Sequence, residues 1–150
     1  MDAPVEVDLV LVPVDGSEES TEAAEYAVAI ADRYDAAVRA VYVVGEQLAR
    51  GIESGAVEKE AVAEEAEAYL DEVRALADDH GVDLSTATTY GFSTRRKTQH
   101  PGSVILDHAE EIEADFVVVP REPQSGEPTE VLEKAAEYVL LYASQPVLSV

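Results

Sequence analysis

Asp15-Gly16-Ser17 is the first place along the chain where side chains are arranged as chemistry would need them. A carboxylate, a residue free to take unusual dihedrals and a hydroxyl directly follow the apolar run Leu9, Val10, Leu11, Val12 and Val14. Asp and Ser can accept hydrogen bonds from backbone or ligand while Gly makes the turn. Asp-Gly is also simply a good turn, and the residues alone leave both readings open. Arg95, Arg96 and Lys97 place three of the ten basic residues in one stretch. They are suited either to receiving an anion or to neutralising nearby carboxylates such as Glu122 and Glu127. The histidines are scattered: His80 stands beside Gly81, His100 before Pro101, and His108 inside a helical period, so a metal site would require a fold that gathers them. The absence of Cys removes thiolate ligands, thiol nucleophiles and disulfides. No serine has the G-x-S-x-G setting of a nucleophile elbow, and neither a Lys-Ser/Thr phosphate loop nor G-x-G-x-x-G follows the first strand. Acidic pairs such as Glu110 and Glu111 belong to solvated faces in so acidic a chain. No catalytic residue and no metal ligand is singled out, and no enzymatic activity is expected.

The elements that must position these groups alternate. Leu9 to Val14 is apolar almost throughout, as in a strand buried on both faces in the middle of a parallel sheet. Ala24, Ala27, Val28, Ala31 and Tyr34 then recur at helical spacing, and Ala37 to Val44 gives a second buried strand interrupted by Arg39 and Tyr42. Residues 45 to 56, with Gly45, Gly51 and Gly55, are expected to form a connecting loop. A long helix is predicted from Val57 to Asp79, stopped by Gly81, and Leu84 to Tyr90, rich in Thr, is a third and polar edge strand. A helix from Pro101, a strand from Ala114 to Val119, a helix from Val131 to Ala143 and a strand from Pro146 to Val150 complete the chain. Strict alternation predicts a single α/β domain over residues 1–150, a doubly wound parallel sheet with helices on both faces. In such sheets the ligand crevice lies beyond the carboxyl ends of the strands, where Asp15 falls.

The formal net charge is −22, from 32 acidic residues against 10 basic ones. Such a surface repels polyanions, so nucleic acid is not expected as a partner. Molar salt shrinks the screening length to about 3 Å and removes most of the self-repulsion, so the composition suits a salt-rich cytoplasm and a halophilic source; an acidic protein-interaction surface or simple solubility are the alternatives. No apolar run approaches the length of a membrane span and Met1-Asp2-Ala3-Pro4 has no basic or apolar leader character, so a cytoplasmic location and no membrane partner are expected.

The opening LVPVDGSEES, the later AVRAVYVV, and the closing ILDHAEEIEADFVVVP and AAEYVLLYASQPVLSV together resemble the universal stress protein family over nearly the whole chain. The resemblance implies an adenine nucleotide alpha hydrolase-like, five-stranded parallel sheet of order 3-2-1-4-5 with its crevice at strands one and four. In members that hold ATP, an Asp near the first turn contacts the ribose, a backbone group after the second strand contacts adenine, and G-x2-G-x9-G-[ST] cradles the phosphates. Asp15 matches the first and Val43 the second, so Pro13, Asp15 and Val43 read as a vestigial nucleotide site. The motif positions are occupied by Pro120, Pro123, Glu133 and Lys134, which keep the spacing and lose the chemistry. Prolines have no N–H to donate and Glu133 adds negative charge where a phosphate would sit. The expectation is a stress-response or regulatory domain with no cofactor that does not hold ATP in the family manner. The alternative is an ATP, other adenine nucleotide or anion module using Asp15 with Arg95, Arg96 and Lys97. The resemblance also implies a homodimer through Pro146 to Val150, an uncharged edge, and leaves any protein partner open. Pro128 is suited to a first helical position, so the last helix is expected to begin there, across the phosphate site.

Overall fold

The computed structural model describes residues 6–90, 101–120 and 132–150. Arg95, Arg96, Lys97, Pro123 and the expected helix start at Pro128 lie outside the described residues. The elements are β1 (Leu9–Val14), α1 (Glu18–Tyr34), β2 (Ala37–Val44), α2 (Glu46–Ser54), α3 (Lys59–Asp79), β3 (Leu84–Tyr90), α4 (Pro101–Glu111), β4 (Phe116–Val119), α5 (Leu132–Tyr142) and β5 (Val147–Ser149). The strands form one parallel sheet of order β3-β2-β1-β4-β5, the order that the family resemblance implied.

β1 is central because its side chains serve two cores at once. Val10, Val12 and Val14 join Val38, Ala40, Tyr42 and Val44 of β2 against α1 and α3. On the other face, Leu11 joins Val41, Val43, Val117 and Val119 against Ile105 and Ala109 of α4 and Ala135, Ala136 and Val139 of α5. A strand that alternates between two buried faces must be apolar at every position, which is why its sequence shows no polar alternation.

Helix ends follow local chemistry. Ser17 caps α1, its hydroxyl accepting the Ser20 N–H at 3.1 Å. At the far end Asp35 takes a left-handed conformation (φ 55°) and the Ala36 N–H returns to the Ala31 carbonyl at 2.8 Å. Glu113 (φ 56°) repeats the device after α4, the Ala114 N–H donating to Ala109 at 2.9 Å, so Ala114 closes a helix and β4 begins only at Phe116.

The expected loop at residues 45–56 is instead the short helix α2. Gly45 stands at its N-cap and Gly55 (φ 82°) at its C-cap. Gly51 sits where a Cβ would lie 2.6 Å from Val57 Cγ2, because the chain folds back there and the Val57 N–H donates to the Gly51 carbonyl at 2.9 Å. The glycines that suggested a loop are two caps and one close approach.

Candidate functional site

The strand order reverses at β1, so the topological switch point lies at its carboxyl end, where Pro13 limits the ladder. Ala37 N–H donates to Asp8 C=O, which fixes the parallel alternation: Leu11 and Pro13 turn their backbone toward β4, and Val43 turns its own toward β1. Pro13 has no N–H to continue the β4 ladder, and the β1–β4 register ends at Leu11↔Val117 while β4 goes on to pair with β5 through Val119↔Ser149. The β1–β2 register ends at Val14↔Tyr42, so the Val43 carbonyl projects past the end of β1 on the crevice side. The Val43 side chain is buried in the α4–α5 core, so only its backbone faces this opening.

Asp15 follows directly. Its Oδ1 accepts the Ser17 N–H at 2.9 Å and its own N–H donates to Ser20 Oγ at 3.3 Å. Oδ2 meets no hydrogen-bond donor among the described residues. The turn reading and the ligand reading of Asp15 are therefore compatible: one oxygen makes an Asx turn and the other has no donor among the described residues. Gly16 adopts φ 87°, and a Cβ there would sit 3.4 Å from the Tyr42 hydroxyl.

Beside the turn lies a hydroxyl cluster that the sequence did not disclose. Tyr69 of α3 places its hydroxyl 2.9 Å from both Ser20 Oγ and Thr21 Oγ1. Those two hydroxyls also reach the Ser17 carbonyl, at 3.0 and 3.1 Å. Ser20 is fully buried, and Tyr42 meets Tyr69 edge-on with ring centres 6.0 Å apart. Burial pushes both phenols above their ordinary range. For Tyr42 the charges of Glu65 and Asp15 add to the effect; for Tyr69 the Ser20 and Thr21 hydroxyls oppose it and Asp15 adds to it. Tyr69 thus ties α3 to the first turn of α1 through its hydroxyl and to β2 through its ring. The signal was present as Tyr42 among valines, and Tyr69 at a helical spacing looked like core.

Pro120 is buried and directly follows β4. It offers no backbone donor, and the carbonyl before it, Val119, accepts the Val150 N–H at 3.0 Å. Glu133 and Lys134 lie in the first turn of α5 as described. Of the expected site residues, Pro13, Asp15 and Val43 come together at one strand end, and Pro120 stands at the end of β4.

Among the described residues no group of three His, Asp or Glu is placed to hold a metal. His80 Nδ1 lies 3.1 Å from the Leu76 carbonyl at the end of α3. His108 is elsewhere, on α4, its buried Nε2 without a hydrogen-bond partner among the described residues and its pKa lowered by burial and by Arg39, with Glu111 opposing.

Residues 6–150 match the family model described as the universal stress protein family. The chain belongs to the universal stress protein family. It is 33% identical over 144 residues to a universal stress protein of Methanocaldococcus jannaschii, covering 94% of this chain and 80% of that one. Its fold is similar to that of a universal stress protein in complex with cAMP (TM-score 0.68, 22% identity, 97% of each chain). It is also similar to the universal stress protein from Archaeoglobus fulgidus in complex with dAMP (TM-score 0.65, 19% identity, 97% of this chain and 98% of that one). Among the described residues no helix of this universal stress protein is long and apolar enough to cross a membrane.

Proposed function

We propose that this universal stress protein is a non-enzymatic stress-response or regulatory domain that does not hold ATP through a glycine cradle. Pro120 carries the reading: the first cradle position follows β4 with a ring nitrogen that has no hydrogen. A charge-assisted bond from a backbone N–H to phosphate contributes about 1.5–3 kcal/mol, and Pro123 removes a second. Glu133 and Lys134 replace the third glycine and its hydroxyl partner, and a carboxylate about 4 Å from a phosphate charge costs on the order of 4 kcal/mol at a surface-like dielectric. These losses are comparable with the whole affinity of a micromolar site, about 8 kcal/mol. Mass spectrometry of small molecules released from the purified protein tests this, with no stoichiometric nucleotide expected.

The relatives bound to cAMP and dAMP favour a second reading, an adenine nucleotide or anion module. Asp15 Oδ2 and the Val43 carbonyl supply acceptors for ribose and adenine, and Arg95, Arg96 and Lys97 supply positive charge. A co-purifying nucleotide would replace the first reading by this one.

The domain acts as a homodimer through β5 in this account. β5 ends the sheet, and Leu140 and Leu141 on the preceding helix are exposed. Deleting the last four residues is expected to halve the mass in solution; an unchanged dimer would put the contact elsewhere.

A further inference from the structure

The other edge of the sheet carries a feature unconnected with nucleotide binding or with β5. Among the described residues β3 ends the sheet opposite β5, so pairing through β5 does not cover it. The Val38 N–H donates to the Asp83 carbonyl at 2.9 Å, which sets the alternation along β3: Ser85, Ala87 and Thr89 bond to β2, and Leu84, Thr86 and Thr88 turn N–H and C=O outward. The strand, Leu84-Ser85-Thr86-Ala87-Thr88-Thr89-Tyr90, has no Lys, Pro or inward charge of the kind that blunts edges.

Beside this edge, between β3 and α3, lies a groove of about 430 Å3 lined by Val44, Val62, Ala63 and Leu70, with Thr86, Ala87 and Thr88 on the strand side and the charged Lys59 and Glu67 on the helix side. Along the flank of α3 beside it, four carboxylates outnumber the two cations Lys59 and Arg74. Glu60, Glu64, Glu67 and Asp71 recur at steps of four, three and four along the exposed flank of α3. Arg74 pairs with Glu67 at 3.2 Å and with Asp71, and donates to Thr86 Oγ1 at 2.9 Å, bridging α3 to β3. Glu60 and Glu64 make no ion pair among the described residues.

We propose that the edge of β3 and this groove take up an extended, basic segment of a partner protein as an added strand. Outward N–H and C=O groups at Thr86 and Thr88 bond its backbone, and an apolar side chain on the α3 side fills the groove beside Val62 and Leu70. Lysines or arginines two residues to either side reach Glu60 and Glu64. Main-chain bonds supply affinity in such strand addition and alternate side chains supply selectivity. A chain of net charge −22 selects a cationic partner.

The probe is the capped peptide acetyl-TKTVTKT-amide, titrated into isotopically labelled full-length protein, with acetyl-TETVTET-amide as its control. Saturable amide shifts confined to residues 59–70 and 84–90 are expected, with at least tenfold weaker binding of the acidic peptide. Thr88→Pro deletes an outward donor without touching the β2 ladder, and Ala63→Trp fills the groove from an exposed helical position; each is expected to weaken binding at least tenfold. Urea midpoints establish that the variants are folded, and if Thr88→Pro is not, Ala63→Trp decides. No binding, equal binding of the two peptides, shifts centred on β5 or the crevice, unchanged affinity in Ala63→Trp, or occupation of the edge by a second copy of this chain would each overturn the proposal.

Discussion

Replacing Tyr69 by Phe removes one oxygen and leaves the ring against Tyr42, so it isolates the hydroxyl cluster from the packing. Three hydroxyls share three protons around one carbonyl: Ser20 and Thr21 both reach Ser17 O, and Tyr69 lies 2.9 Å from each of them. Deleting the phenol oxygen leaves the fully buried Ser20 with a lost partner and the exposed Thr21 with water as a substitute. At about 1 kcal/mol for the buried bond and less for the exposed one, the loss is about 1–2 kcal/mol. For a chain of this size that lowers Tm by roughly 2–8 °C. Urea denaturation at matched salt reads it as a lower midpoint at unchanged slope, and a Ser20→Ala, Tyr69→Phe cycle is expected to show coupling of about 1 kcal/mol. The alkaline limb supplies a second readout. Because the folded protein holds the Tyr69 proton more tightly than the unfolded chain, this stability is complete below the ordinary phenol value of 10.0 and is lost as pH rises through the raised one. Tyr69→Phe therefore declines less steeply above that pH. A variant as stable as the parent, with no coupling to Ser20, would mean that water satisfies these hydroxyls and that the cluster does not hold α3 to α1.

His108 has a pKa lowered by burial and by Arg39, and its buried Nε2 has no hydrogen-bond partner among the described residues, so the fold disfavours its charged form. The unfolded chain then binds the proton first, and stability falls as pH drops below the ordinary value of 6.5; His108→Leu is expected to flatten that part of the profile, and parallel profiles would refute it. If the charge of −22 reflects adaptation to salt, the urea midpoint rises from about 0.1 M to molar KCl as the screening length contracts from about 10 Å to about 3 Å, whereas greatest stability at the lowest salt would contradict this.

The centrality of β1 and the polar edge at β3 were legible because burial on both faces makes every residue of a strand apolar while an edge strand keeps polar ones, whereas the strand order came from the family resemblance. α2 was hidden because its glycines lie at caps and at the contact with Val57, where backbone geometry and not helix propensity decides. The chemistry of Asp15 was legible as a type and a place, and the sequence showed that Pro120 could not donate. The role of Pro13 depends on which neighbour each residue of β1 faces, and the Tyr69 cluster on the rotation of α3 against α1; both are properties of register and packing between segments far apart in the chain.

The central claim, that the lost donors abolish family-type ATP binding, is tested most directly by calorimetric titration of ATP into the protein and into Pro120→Gly/Pro123→Gly/Glu133→Gly/Lys134→Ser at the same salt. The account predicts no micromolar binding by the parent and measurable binding by the variant. Micromolar binding by the parent would contradict it.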